Sequence, residues 1–113
     1  MANYKTTLKV KYINFIKEGE KTIEGRINTG LFAKIKAGDT IEFFSKQEKV
    51  NCKIKLIKNY SSFKEMLESE GLDKILPNVE TVEGGVNTYN SFPRYKENSK
   101  KYGVLALHLQ VLD

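Results

Sequence analysis

The closing run Tyr102-Gly103-Val104-Leu105-Ala106-Leu107-His108-Leu109-Gln110-Val111 limits the fold more than any other stretch of the chain. Its middle is apolar at odd and even positions alike. Successive side chains on a strand point to opposite faces, so both faces of this one must be covered. Such a strand lies inside a sheet or closes a small barrel. A lone His108 in this setting reads as a satisfied structural residue rather than a catalyst.

The neighbouring strands follow from alternation. Ile41 and Phe43 alternate with Glu42, and Val50, Cys52, Ile54 and Leu56 alternate with Asn51, Lys53 and Lys55, which puts the apolar set inward and lysine outward. Residues 4–10 and 21–28 read as short strands. Helical spacing intervenes: Tyr12, Phe15 and Ile16 fall at i, i+3, i+4 before Gly19, a C-cap glycine, and Leu31, Phe32 and Ile35 suggest one turn. Ser62-Phe63-Lys64-Glu65 matches the S-x-x-E capping box and predicts a helix that Gly71 ends. Leu72 to Val79, with Pro77, reads as a short turn and loop. Gly84-Gly85 opens a further helical stretch through Val86, Tyr89 and Phe92, which Pro93 stops. The expected fold class is α+β, with about five to six short strands in a small mixed barrel and helices inserted around it.

A chain of 113 residues suits one domain over 1–113. Its 40% hydrophobic and 29% charged residues are those of a globular chain rather than a disordered one. Cys52 is the single cysteine, so no internal disulfide is expected, and no Cys or His spacing predicts a metal or cofactor. The first residues lack an apolar signal core, and no run approaches the ~20 apolar residues of a bilayer span. The default is a cytoplasmic monomer away from membranes.

The net charge of +5 is compatible with a polyanionic partner. Five lysines between 46 and 58 face only Glu48, either a solvated strand face guarding an edge or a phosphate-tracking stripe that includes Lys53 and Lys55. Residues 65–83 are acidic, with only Lys74 opposing, so the molecule is electrically two-sided, and a protein-interaction adaptor would use that acidic face. After Pro93 come Arg94, Tyr95, Lys96, Lys100, Lys101 and Tyr102, suited to base stacking with phosphate neutralisation or, as plainly, to core tyrosines beside solubilising lysines.

The densest chemistry lies in Gly19-Glu20-Lys21-Thr22-Ile23-Glu24-Gly25-Arg26. On a strand Thr22, Glu24 and Arg26 share a face, which makes Glu24 and Arg26 natural partners. Lys21, directly after the turn, is free to lean either way. The segment is then a surface ion pair beside a turn, or a site. Glu70 shares the apolar helix face of Phe63, Met66 and Leu67, so it needs a partner or an escape to water at the helix end.

Taken in order, Phe15 to Arg26, Ile35-x-x-Gly38-Asp39-x-Ile41-x-Phe43, Ser62 to Leu67 running to Gly71-Leu72, Tyr89-x-x-Phe92 and Tyr102-Gly103-Val104 resemble the ASCH family, the activating-signal-cointegrator homology domains of the PUA-like superfold. The G-x-K-x-x-x-x-R element is the most specific part. The resemblance implies a barrel with a cleft floored by Lys21, Glu24 and Arg26, suited to RNA or a modified nucleoside. Some members are similar to amidohydrolases of N4-acetylcytidine, others to ribonucleases or plain nucleic-acid binders. An enzyme would use Lys21 with Glu24 and Glu70. Glu24, however, stands where the hydrolase branch has threonine, and Pro93 where relatives often have a second aromatic. The leading expectation is a binding domain for RNA, a nucleoside or a nucleotide, with Lys21, Glu24, Arg26, Lys53, Lys55, Tyr89, Phe92, Arg94 and Tyr95 at the ligand.

Overall fold

The computed structural model describes residues 1–112. Five strands form one mixed sheet: β1 (Asn3–Thr7), β2 (Ile23–Ile27), β3 (Thr40–Phe44), β4 (Lys49–Tyr60) and β5 (Val104–Val111). Their spatial order is β1-β3-β4-β5-β2, with β1 parallel to β3 and every other pair antiparallel. The sheet curls into a half-barrel, the α+β fold that the alternation predicts. Five helices surround it: α1 (Val10–Lys17), α2 (Phe63–Glu70), α3 (Leu72–Ile75), α4 (Val82–Asn90) and α5 (Tyr95–Tyr102), with a 3₁₀ turn at Gly30–Ala33. Among the described residues, no helix is long and apolar enough to cross a membrane.

β5 lies between β4 and β2, as its two apolar faces require. Val104 and Ala106 pack with Phe63, Met66, Leu67 and Tyr89 under α2 and α4. Leu105, Leu107 and Leu109 point the other way, into a second core with Ile13 and Ile16 of α1 and Phe43, Val50, Cys52 and Ile54. One strand thus separates two apolar cores, and each takes alternate residues from it.

Four details depart from the sequence pattern. Val10, expected to end the first strand, instead begins α1, because β1 stops at Thr7. Leu56, expected inward, is 44% exposed. Between Ile54 and Leu56 the pairing with β5 slips by one residue, a bulge at Lys55. A bulge inserts one residue and reverses which face follows, so Ile57 opposite Leu107 takes the inward place. The basic stretch after Pro93 forms α5, and its low apolar content hid it. Finally, β4 is an interior strand, so its lysines cover a solvent face and guard no edge.

The Ser62 half of the capping box forms, with the Glu65 N–H donating to Ser62 Oγ at 3.0 Å, while the Glu65 carboxylate reaches one residue further back and accepts from the Ser61 N–H at 3.2 Å. Gly71, at φ +103°, ends α2 and lets α3 begin at once. That immediate restart brings α3 against the start of β2.

Candidate functional site

Two backbone anchors fix the segment before β2. The Lys21 N–H donates to Phe15 O at 3.1 Å, at the end of α1, and the Thr22 N–H donates to Lys74 O at 2.9 Å, on α3. Between them the Lys21 side chain turns inward and is only 2% exposed. Its ammonium donates to Ile23 O at 2.8 Å and Ile75 O at 2.6 Å, and meets Glu24 Oε1 at 2.9 Å. Lys21 therefore leans to the face of Glu24, the choice that strand parity left open.

Glu24 is held from both sides. Its other oxygen, Oε2, accepts from Arg26 Nε at 2.8 Å. Arg26 continues across the open seam of the half-barrel: Nη2 donates to Thr7 O at 2.9 Å and Nη1 to Thr6 Oγ1 at 3.3 Å. Since β1 and β2 are the two edges of the sheet, this guanidinium fastens edges that share no backbone ladder. It also stands over the Phe32 ring, 4.9 Å from its centroid.

Burial alone would raise the Glu24 carboxyl. The charges and hydrogen bonds of Lys21 and Arg26 outweigh burial and hold the group below its ordinary value. Lys21 is pulled below its ordinary value by burial, against the opposing pull of Glu24. Its three acceptors match the three N–H bonds of an ammonium. A neutral amine has only two, so the geometry is that of the charged form. For Arg26 the attraction of Glu24 overcomes burial and raises the guanidinium further.

This Lys21–Glu24–Arg26 bed floors an open cavity of about 720 Å³. Tyr12, Phe44, Tyr89, Phe92, Pro93 and Tyr95 wall it, and Lys9 and Lys46 stand among its lining residues. Phe63 stacks flat on Tyr89, with centroids 4.1 Å apart, so one face of that tyrosine is already covered. The Tyr89 hydroxyl stands over Gly25, where an added Cβ would approach it to 2.7 Å. It is buried and faces the Gly25 N–H, but no well-angled bond forms and its own O–H has no acceptor among the described residues. Burial, with the charge of Glu24, pushes its phenol well above the ordinary value.

The cavity brings together Lys21, Glu24, Arg26, Tyr89, Phe92 and Tyr95. It does not include Lys53, Lys55, Arg94 or Glu70. Lys53 and Lys55 are exposed on β4, and Arg94 is exposed at the N-cap of α5, with a left-handed φ of +65°. Glu70 finds the partners its position demanded: Tyr60 Oη donates to Oε2 at 2.6 Å, and His108 Nε2 lies 3.0 Å from Oε1, at a poor hydrogen-bond angle. Burial would raise the Glu70 carboxyl, but these two neighbours hold it below its ordinary value, while burial and Glu70 push the Tyr60 phenol up to about 12. Lys9 is not legible in the sequence, because a lysine ahead of an amphipathic run carries no signal and only the β1–β3 pairing brings it to the cavity.

The ASCH domain family model matches residues 7–113. Hypothetical protein PH0355 is 42% identical, and its crystal structure superposes with a TM-score of 0.89 over 99% of this chain and 100% of its own. The solution structure of protein PF0455 from Pyrococcus furiosus is 38% identical, with a TM-score of 0.82 over 100% and 99% of the two chains. The ASCH protein of Zymomonas mobilis is 14% identical, with a TM-score of 0.57 over 94% of this chain and 65% of its own, a likeness of fold alone. No curated protein sequence matches significantly. With this architecture and a family match over nearly its whole length, the chain belongs to the ASCH domain family.

Proposed function

We propose that the cavity binds a nucleobase, presented by RNA or by a modified nucleoside. The observation that carries this reading is the buried Lys21–Glu24–Arg26 bed at the foot of an aromatic-walled cavity of about 720 Å³. Base edges alternate donors and acceptors, and base faces stack on aromatic rings. A carboxylate beside a guanidinium reads such an edge. Each Glu24 oxygen keeps acceptor capacity beyond its one cationic partner, and three of the five Arg26 N–H bonds are used within the protein. Phe92 and Tyr95, edge to face at 5.3 Å, offer the ring surface.

Two features favour binding over turnover. Lys21 spends all three N–H bonds inside the protein, so it presents no lone pair to a carbonyl or phosphate. Glu70, the second carboxylate of the enzyme reading, sits with Tyr60 and His108 rather than at the cavity.

The test incubates wild type and Lys21→Ala with a nucleoside panel that includes N4-acetylcytidine, and with short RNA, following retention and product masses. Retention by wild type without conversion, weakened in the variant, is expected. Conversion by wild type and not by Lys21→Ala would make the cavity a hydrolase site instead.

A further inference from the structure

Building on the reading that the cavity takes a nucleobase, we propose that its ligand is a nucleotide whose phosphate is held at the lip where β1 leads into α1. Three observations converge there, and a fourth stands in the cavity that the lip opens on. First, α1 starts at an uncapped end: Lys9 at the N-cap accepts no side-chain capping bond, and the first turn carries no acid. The Tyr12 and Ile13 N–H groups return to Lys9 O at 3.0 and 3.1 Å, while those of Val10 and Lys11 have no protein acceptor among the described residues. Free N–H groups at the positive end of a helix suit an anion.

Second, the Leu8 N–H donates to Phe44 O at 3.0 Å, which sets the segments bearing Lys9 and Lys46 side by side at the cavity. Third, both lysines are exposed, and among the described residues neither has a carboxylate within 4.0 Å. Lys9 instead rests over the Phe92 ring, 5.3 Å from its centroid, on the opposite wall. Fourth, the buried Tyr89 hydroxyl in the same cavity is faced by the Gly25 N–H at poor geometry, and its own O–H has no acceptor among the described residues, an open donor that a bound ligand would complete.

The charges agree. Lys21, Glu24 and Arg26 sum to one positive charge, and the lip adds two lysines. A neutral nucleoside leaves the lip unanswered, whereas a phosphate beside the sugar answers it.

The experiment is calorimetric titration with cytidine, N4-acetylcytidine, uridine, adenosine and guanosine, their 5′-monophosphates, inorganic phosphate, and a short 5′-phosphorylated RNA. Wild type is compared with Lys9→Ala/Lys46→Ala and with Lys53→Ala/Lys55→Ala, which removes the same charge outside the cavity. We expect the monophosphate of the preferred base to bind about tenfold tighter than its nucleoside, as one charge-assisted contact provides. That preference should vanish in Lys9→Ala/Lys46→Ala and persist in Lys53→Ala/Lys55→Ala. Stronger binding of the RNA or of the mononucleotide tells which source supplies the phosphate, and loss of that gain in Lys9→Ala/Lys46→Ala places it at the lip. Nucleoside and nucleotide bound equally, or a preference that survives loss of both lip lysines, overturns this inference and leaves the nucleobase reading standing. Binding of neither overturns both.

Discussion

Tyr89 separates what the fold needs from what a ligand needs. A buried hydroxyl whose O–H finds no acceptor costs the folded state, and removing it relieves that cost, less the poorly aligned contact from the Gly25 N–H. Tyr89→Phe should therefore leave thermal stability unchanged or raise it by up to about 1 kcal/mol, while nucleoside affinity falls. A loss of stability with unchanged affinity would show that the hydroxyl serves the core alone. Lys21 behaves in the opposite way. Lys21→Met keeps the volume but leaves Ile23 O, Ile75 O and one side of Glu24 without their lysine donor. Breaking a buried pair costs about 3–5 kcal/mol, and the lower end applies because Glu24 keeps Arg26. Denaturant midpoints would measure it.

At the scale of elements, the strands and the capped helix were legible because each rests on local chemistry. The alternation of Ile41 and Phe43, the two apolar faces of β5 and the Ser62–Glu65 box all state their roles within a few residues. The Glu24–Arg26 partnership follows from strand parity and is present at 2.8 Å. What stayed hidden depends on distant contacts. The bulge at Lys55 exists only relative to β5, and Lys9 reaches the cavity only because β1 lies parallel to β3. α5 is not legible in the sequence because its apolar content is low and its start, Arg94, is left-handed. That geometry gives a prediction. A non-glycine residue in this conformation costs about 1–2 kcal/mol, largely offset by the flexibility that glycine adds to the unfolded chain. Arg94→Gly should thus keep stability within about 1 kcal/mol of wild type. Nucleoside affinity should not change, since Arg94 does not line the cavity; a large loss would put Arg94 at the ligand after all.

For the whole molecule, Arg26 ties the two sheet edges across the seam that opens the cavity, so stability and site share one charge network. Glu24 and Glu70 are both held below the ordinary value of 4.5. A carboxyl depressed on folding contributes stability that is fully present above its unfolded value and is lost as the pH falls through the folded one. Denaturant midpoints should accordingly hold at neutral pH and decline once the pH drops below about 4.5, with a shallower decline in Glu70→Gln. The central claim concerns where a base sits, and backbone amide shifts report that directly. Titrating isotope-labelled protein with short RNA should move the amides of Gly25, Arg26, Tyr89 and Tyr95 and leave those of Lys53 and Lys55 in place. Shifts confined to the β4 lysines, with the cavity amides unmoved, would contradict the account.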